Sequence, residues 1–243
     1  MGVHGVAVAL LMTAALTAAA CSGDVDRPAG NEPPTATEKL GAAGQLAVAK
    51  ARADAATSMH LTVRSSGVPD SVNGVLGVDG SGTHAPAFKG TLEVRISGFQ
   101  VKVEAVALGE ALYVKLPFTT AFTQVDPKEF SAPNPAKLFA TKGGIASLMT
   151  ATTNPGQGKP IREGAEVLNT VTGKLSGDRV APVLGIGDAT QTFDVTYGIT
   201  EPGGELRKVT VIGPFYRGAI STYTLTLDKY GAPVEITKPS VAP

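Results

Sequence analysis

Residues 91–104, TLEVRISGFQVKVE, contain two runs in which every second residue is apolar, separated by the turn-forming Ser97–Gln100. Successive side chains of a β-strand point to opposite faces, so this alternation predicts two strands, each with one buried face and one face in water. A short connection containing glycine between two such runs is typical of a β-hairpin. The side chains predicted to point inwards are Leu92, Val94 and Ile96 in the first strand and Val101 and Val103 in the second.

The same alternation recurs along the chain and predicts a fold rich in β-sheet. Only 5% of the residues are aromatic, whereas 29 are glycine and 17 are proline, which favours a β architecture with many turns and modest helix content. Glu201–Gly204 has strong turn chemistry, because proline and glycine both favour tight turns. The other predicted strands are residues 61–64, 112–116, 164–174, 192–199, 206–212 and 221–227.

Residues 37–58 predict a helix before the first strand. The segment is rich in alanine, lysine and leucine and contains no proline. Thr37 is a candidate N-cap, because its hydroxyl can accept a hydrogen bond from a free amide of the first turn. The apolar face is predicted to be a narrow stripe suited to packing on a sheet, formed by Leu40, Ala43, Leu46, Ala47 and Ala51.

Short helices are also predicted in the middle of the chain, where they interrupt the sheet. Asn134-Pro135 resembles a cap followed by proline at the first helical position. Residues 136–139 and 145–149 then form two short helices, because Gly143-Gly144 breaks the pattern between them. Residues 178–184 predict a further short helical or irregular element.

Residues 1–20 predict a signal for export. They contain no Lys, Arg, Asp or Glu, and residues 6–20, VAVALLMTAALTAAA, are apolar or small throughout, as in a secretory signal and its cleavage site. The run is shorter than a membrane span, which takes about 20 apolar residues. Ala18–Cys21 is similar to a bacterial lipobox, so we expect a lipid on Cys21, the single cysteine of the chain. The alternative is an ordinary signal peptide cut near Ala20.

Residues 21–37 are expected to be a lipidated N-terminus and flexible tether, because proline-rich segments with few large apolar side chains cannot offset the entropy of ordering. The remaining residues, 38–243, are enough for one sizeable domain or two small ones. No cysteine follows Cys21, so stability is expected to come from packing. The 21 basic residues balance the 21 acidic ones, so no nucleic-acid partner is expected.

The chain contains no recognisable catalytic or metal-binding motif. His60 and His84 are not in ligand spacing with another histidine or a cysteine, and His60 is interpreted as a polar residue at the start of a strand. Residues 74–82 are glycine-rich but lack the lysine of a phosphate-binding loop, and they are interpreted as a flexible strand and turn. We therefore predict no enzyme and no cofactor, although an acid and a base can still meet from distant parts of a chain.

Charged residues on the predicted strands have an ordinary structural interpretation. Glu93 and Glu104 lie on predicted water-facing sides together with Arg95 and Lys102, so cross-strand charge pairing is expected. The apolar faces leave two alternatives open: the sheet can be filled by its own helices, or it can keep a cavity.

Several segments, taken together and in order, resemble the actinobacterial LppX/LprAFG lipoprotein family. The resemblance covers nearly the whole chain after the tether. It rests on Met59–Val63 followed by Gly67–Pro69, Gly109–Tyr113, Asn134-Pro135 followed by Gly144–Leu148, and the ending Leu225–Pro239.

This resemblance implies an α+β fold, a strongly curved antiparallel β-sheet or half-open barrel with helices on its concave side enclosing a hydrophobic cavity. Residues 38–243 would then be a single lipid-binding domain. The implied cavity residues are Leu61, Val63, Leu92, Val94, Ile96, Val101, Val103, Leu112, Val114, Leu138, Phe139, Ile145, Leu148 and Met149.

The function implied by the resemblance is that of a lipid carrier on the outer face of the cell membrane. The expected partners are acylated lipids or glycolipids, the membrane that holds the Cys21 lipid, and a membrane lipid transporter. The alternative is a protein of the same fold without a lipid cargo that acts in interactions at the cell surface or in the envelope. An envelope hydrolase is a third hypothesis, which the absence of a nucleophile motif disfavours.

Overall fold

The structure is a computed structural model that describes residues 40–127 and 133–241. The predicted export signal, the lipid attachment at Cys21, the tether and the Thr37 cap lie outside these residues. Within them, no helix is long and apolar enough to cross a membrane.

A single antiparallel sheet of 12 strands dominates the fold. Its first half contains β1 (Ser58–Ser66), β2 (Gly74–Thr83), β3 (Ala87–Ile96), β4 (Phe99–Leu108), β5 (Ala111–Lys115) and β6 (Thr123–Val125). Its second half contains β7 (Thr153–Gln157), β8 (Ile161–Glu163), β9 (Glu166–Ser176), β10 (Thr192–Thr200), β11 (Leu206–Tyr216) and β12 (Ala219–Asp228).

The strand order joins the two halves in the middle of the sheet. It runs β6-β5-β4-β3-β2-β1-β12-β11-β10-β9-β7, and β8 pairs with the side of β9. β1 pairs with β12 in a register that extends from His60 opposite Asp228 to Ser66 opposite Thr222. The outer strands β6 and β7 do not pair with each other, so the sheet is curved but open. The implied α+β fold with a half-open barrel is confirmed.

The hairpin predicted from residues 91–104 is confirmed, with a tighter turn than expected. Ser97 and Gly98 alone form the connection, with φ of 50° and 83°, and Phe99 pairs directly with Ile96. Two consecutive residues with positive φ are typical of the turn that best matches the twist of two paired strands. Residues 74–82, expected to be a flexible strand and turn, belong to the regular strand β2. The expected strand at residues 164–174 lies in β9 from Glu166 onwards, and residues 164–165 form the turn that joins β8 to β9.

The helices pack against the concave face. They are α1 (Ala42–Ala55), a 3-10 helix (Pro135–Phe139), α2 (Ser147–Ala151) and α3 (Gly177–Leu184). Asn134 caps the 3-10 helix by accepting a hydrogen bond from the Ala136 amide at 3.0 Å, and proline follows it, as predicted. The short element at residues 178–184 is helical.

The predicted face of the first helix is wrong except at Leu46. Its buried residues are Leu46, Ala49 and Ala53, whereas Leu40 lies before the helix and is 51% exposed. Ala43, Ala47 and Ala51 are exposed. An alanine-rich helix has nearly the same polarity on all sides, so the contacts with the sheet and α2, not the sequence pattern, decide which face is buried.

His84 joins three elements at one end of the sheet. It lies in the β2–β3 turn, with Nδ1 2.6 Å from the carbonyl oxygen of Phe139 and Nε2 3.0 Å from that of Ala53. These carbonyls lie in the last turns of the 3-10 helix and α1. The side chain therefore ties both helix ends to the sheet.

Gly82 lies where the 3-10 helix packs on β2. A Cβ atom at this position would lie 2.3 Å from Cδ2 of Phe139, a fully buried ring. The absence of a side chain on β2 thus allows the ring to contact the strand directly.

We expect Gly82→Ala to destabilise the fold by about 1–3 kcal/mol, because the added methyl overpacks the core. Gly156→Ala is the matched control in another strand, since its Cβ would meet no atom closer than 3.8 Å. Urea unfolding of both variants measures the difference. Equal stability of the two would contradict the packing described for Phe139.

Candidate functional site

An apolar cavity of about 220 Å³ lies on the concave side, between the centre of the sheet and the short helices. It is bounded by β1, β2, the β11–β12 hairpin, the 3-10 helix and the end of α3. The lining residues are Val63, Val72, Asn73, Gly74, Val75, Gly77, Val78, Pro133, Leu138, Leu184, Ile186, Tyr216 and Tyr223.

Two irregularities in the sheet shape the cavity. The register of β2 against β3 shifts between Val75 and Gly77, so Val75 and Val78 both line the cavity although they are three positions apart. The register of β11 against β12 shifts between Gly213 and Tyr216. A bulge of this kind redirects the side chains that follow it, and here it brings the Tyr216 side chain beside Tyr223.

One end of the cavity is polar without being charged. The hydroxyls of Tyr216 and Tyr223 are 2.7 Å apart and share a hydrogen bond. Burial raises the pKa of Tyr223 well above its usual range, and the hydrogen bond to Tyr216 raises it further. Among the described lining residues, none is Lys, Arg, Asp or Glu. The site is therefore suited to a neutral, largely apolar ligand with a group that can hydrogen-bond to a hydroxyl.

The residues expected to line a cavity are divided between the cavity and the core. Val63 and Leu138 line the cavity. Val101 packs on the core and is only partly buried, and Ile96 is 39% exposed at the end of β3. The others are buried in the core: Leu61, Leu92, Val94, Val103, Leu112, Val114, Phe139, Ile145, Leu148 and Met149.

Sequence reasoning missed much of the cavity wall. Val72, Val75, Ile186 and Tyr216 lie in or beside loops and bulges, where simple alternation does not apply, whereas Tyr223 occupies a regular inward position of β12. One signal for this wall was available in the sequence, the adjacent aromatic residues Phe215 and Tyr216. Two large side chains in succession interrupt the alternation of a strand and indicate a bulge.

Charged groups on the convex face form structural pairs. Lys115 Nζ lies 3.0 Å from Glu104, which confirms cross-strand pairing for that carboxylate. The expectation for Arg95 is wrong, because this side chain is buried, donates a hydrogen bond to the Pro69 carbonyl at 2.8 Å and lies 3.4 Å from Asp70. The β1–β2 loop folds over it and removes it from water.

His60 lies between two carboxylates on neighbouring strands. Its Nδ1 is 2.9 Å from Asp228, and its Nε2 is 3.1 Å from Asp79. These contacts link β1 to β12 and to β2. Among residues 40–127 and 133–241, no group of three or more His, Cys, Asp or Glu side chains could hold a metal ion.

The comparisons with known proteins agree with this architecture. A family model described as LppX_LprAFG lipoprotein matches residues 42–236. LprF from Mycobacterium bovis is 18% identical, with a TM-score of 0.68 over 82% of this chain and 97% of that one. Lipoprotein LppX from Mycobacterium tuberculosis is 20% identical, with a TM-score of 0.60 over 80% of this chain and 97% of that one. At these identities the two structures show a shared fold. No curated protein sequence matches the chain.

The buried tyrosines predict how the protein responds to alkali. Burial raises the pKa of Tyr197, Tyr223 and Tyr230, whereas tyrosines of the unfolded chain ionise near about pH 10. Their contribution to stability is fully present below that pH and is lost as the pH rises above it, because the unfolded state then releases protons that the folded state keeps.

We expect the phenolate absorbance of Tyr197, Tyr223 and Tyr230 to appear only at the pH at which circular dichroism shows unfolding. Tyr197→Phe and Tyr223→Phe should each reduce that rise. Complete ionisation of all tyrosines near pH 10 in a protein that is still folded would contradict the burial described above.

Proposed function

Because the chain belongs to the LppX_LprAFG lipoprotein family, we propose that it binds acyl chains of an envelope lipid or glycolipid in the apolar cavity and carries the lipid across the cell envelope. The observation that carries the proposal is the cavity on the concave side, whose described lining has no charged side chain. The proposal involves binding and release and contains no bond-making step.

The driving force would be the removal of hydrocarbon from water. Burial of apolar surface contributes about 25 cal/mol per Å², so an acyl chain held between Val63, Val75 and Leu138 gains affinity along its length. The Tyr216–Tyr223 pair would hydrogen-bond to an ester or hydroxyl group where the chain joins the rest of the lipid.

The size of the cavity requires a change of shape on loading. Its volume of about 220 Å³ is below the about 300–1,000 Å³ of most small-molecule pockets, so it holds only part of one long chain. The 3-10 helix and α3, which cover it, have 5 and 8 residues. Helices shorter than about 12 residues depend on packing for their stability, so displacement of these elements by lipid is the expected route to a larger cavity.

The small cavity also supports a second candidate function. Phe139, Leu148 and Met149 are buried against the sheet, so the helices already fill most of the concave face. In that case the protein would serve in interactions at the cell surface or in the envelope without a lipid cargo. The amount of bound lipid decides between the two functions.

We expect native mass spectrometry of the purified protein to detect co-purified lipid, and organic extraction to release it. Val75→Trp fills the cavity and should lower the bound fraction about tenfold, a loss of about 1.4 kcal/mol of affinity, because the indole takes the space of the acyl chain. Ile212→Trp is the control, because Ile212 lies on the convex face of β11 and is 41% exposed. Circular dichroism confirms that each variant is folded.

A parent protein without any lipid, or equal occupancy in both tryptophan variants, would contradict the carrier function. Lack of lipid in the parent, together with destabilisation of Val75→Trp by overpacking, would favour the interaction protein, whose concave face is already filled.

The anchor is a separate part of the proposal. We propose that Cys21 carries the lipid that holds the protein on the outer face of the cell membrane, where it would exchange cargo with a membrane lipid transporter. The family match supports this attachment, since the matching model is that of a lipoprotein family.

Cys21→Ser should move the protein from the detergent phase to the aqueous phase in detergent partitioning, and it should remove the mass of the acyl groups. The thermal stability of the domain should stay the same, since the substitution alters none of residues 40–127 and 133–241. A variant that still carries acyl groups would show that Cys21 is not the attachment site.

A further inference from the structure

We propose that one rim of the sheet docks on the surface of a lipid bilayer through apolar side chains at the tips of its loops. This inference depends on the proposed function in one respect: the lipid cargo would pass through this rim. It assigns a surface, separate from the cavity, that the protein would use to reach the membrane.

The register of the strands brings several connections to the same rim. In an antiparallel sheet, alternate connections lie at the same edge, which places the β1–β2, β3–β4, β9–β10 and β11–β12 connections together. β5 runs towards this edge as well, because its pairing with β4 goes from Ala111 opposite Leu108 to Lys115 opposite Glu104, and the β5–β6 connection follows. The cavity lies at this rim too, since Asn73, Gly74 and Tyr216 line it.

The β3–β4 hairpin exposes apolar side chains at its tip. Ile96 is opposite Phe99 in the register, and Phe99 is 75% exposed. Both continue the inward-facing positions of the strands, next to the paired Val94 and Val101. The apolar concave surface therefore extends beyond the core and reaches solvent at the rim.

Phe118 is the most exposed of these side chains, at 107%. It lies in the turn that follows β5, in which the Thr119 amide donates to the Leu116 carbonyl at 3.2 Å. Its φ is 71°, a value that glycine or asparagine adopts far more readily. The fold does not bury this aromatic ring, and a strained backbone at an exposed aromatic residue supports a functional role for Phe118.

A third tip adds a further contact. Ile220 follows the Arg217-Gly218 turn of the β11–β12 hairpin, is 64% exposed and points to the convex side, because it alternates with buried Ser221. It lies beside the β1–β2 loop, because its carbonyl oxygen is 2.8 Å from the position of a Cβ atom on Gly67. Together with Leu116, which is 49% exposed, these side chains form the rim patch: Ile96, Phe99, Leu116, Phe118 and Ile220.

The chemistry of the rim favours a bilayer over a protein partner. The patch consists of single apolar side chains on separate tips, which suits insertion between headgroups better than contact with a flat surface. Charges in and beside the connections are balanced, so the attraction would come from apolar burial and not from anionic lipids. These charged residues are Arg95, Arg179 and Arg217 against Asp70, Asp178 and Asp188.

Docking by this rim would allow a lipid to pass from the bilayer to the cavity without contact with water. An acyl chain leaving the bilayer would pass Phe99 and Ile96 and continue along Val94 and Val75, which are paired in the sheet, to the cavity. No step would expose the chain to water.

The chain contains no tryptophan, which permits a direct test. Phe118→Trp and Phe99→Trp are introduced singly into the full chain carrying Cys21→Ser, and vesicles of phosphatidylcholine with brominated acyl chains are added. We expect the emission of both reporters to shift to shorter wavelength and to be quenched. Val167→Trp is the matched control, because Val167 is 51% exposed near the β8–β9 turn at the opposite rim, and its emission should not change.

A second substitution tests whether the tips act together. In the Phe118→Trp protein, Phe99→Asp should lower the apparent affinity for vesicles about tenfold, because one phenyl ring no longer leaves water. Val167→Asp in the same background should have no effect. The affinity should be the same with added phosphatidylglycerol and at high salt.

Equal responses at both rims, or no response at Phe118→Trp, would overturn the proposal. So would a response that needs anionic lipid and disappears in salt. A shift that appears without vesicles and grows with protein concentration would show that a second copy of the chain covers the patch. Native mass spectrometry distinguishes the two proposals. A protein that retains lipid but does not contact vesicles overturns only the docking proposal. A protein that contacts vesicles but holds no lipid overturns only the proposal that it carries lipid.

Discussion

The pairing of β1 with β12 is the constraint on which the rest of the structure depends. It joins residues 58–66 to residues 219–228 and thereby unites the two halves of the sheet. Closing so long a loop is entropically unfavourable, and the continuous register from His60 to Ser66 together with buried Leu61 and Leu225 offsets that cost. The same pairing places Tyr223 opposite Ser65. Without it, the cavity would lose one wall and its polar end.

Two kinds of residue accommodate the helices on the concave face. Large side chains such as Phe139 and Leu148 fill the space, and glycines such as Gly82 remove side chains where a ring must approach the strand. The cavity remains where no large side chain fills the space and no glycine lets a ring approach the strand, next to the shifts in register of β2 and β11. A bulge leaves one side chain without a partner across the sheet, so space is created without a change in composition. This explains why the cavity lies beside the bulges and not beneath the regular strands.

The apolar surface of this protein is divided by its surroundings into three parts. Leu92 and Val94 belong to the core, Val63 and Val75 line the cavity, and Ile96 and Phe99 reach solvent. All of them lie on the same face of one sheet. Their environment depends on how far the short helices extend along the strands, so the helix cover, more than residue type, separates packing from binding.

The sequence by itself determined most of the long strands, a hairpin connection within residues 97–100, the cap at Asn134 and the family, because alternation, turn chemistry and capping are local and their residues are neighbours in the chain. It also indicated which strand faces point inwards. It did not determine the buried face of α1, the burial of Arg95 beneath the β1–β2 loop, or the cavity wall formed by Tyr216 and Tyr223. Each of these depends on elements that are distant in sequence. Only the tertiary structure decided which apolar residues fill the core and which border a cavity, because both environments favour the same side chains and differ only in what packs against them.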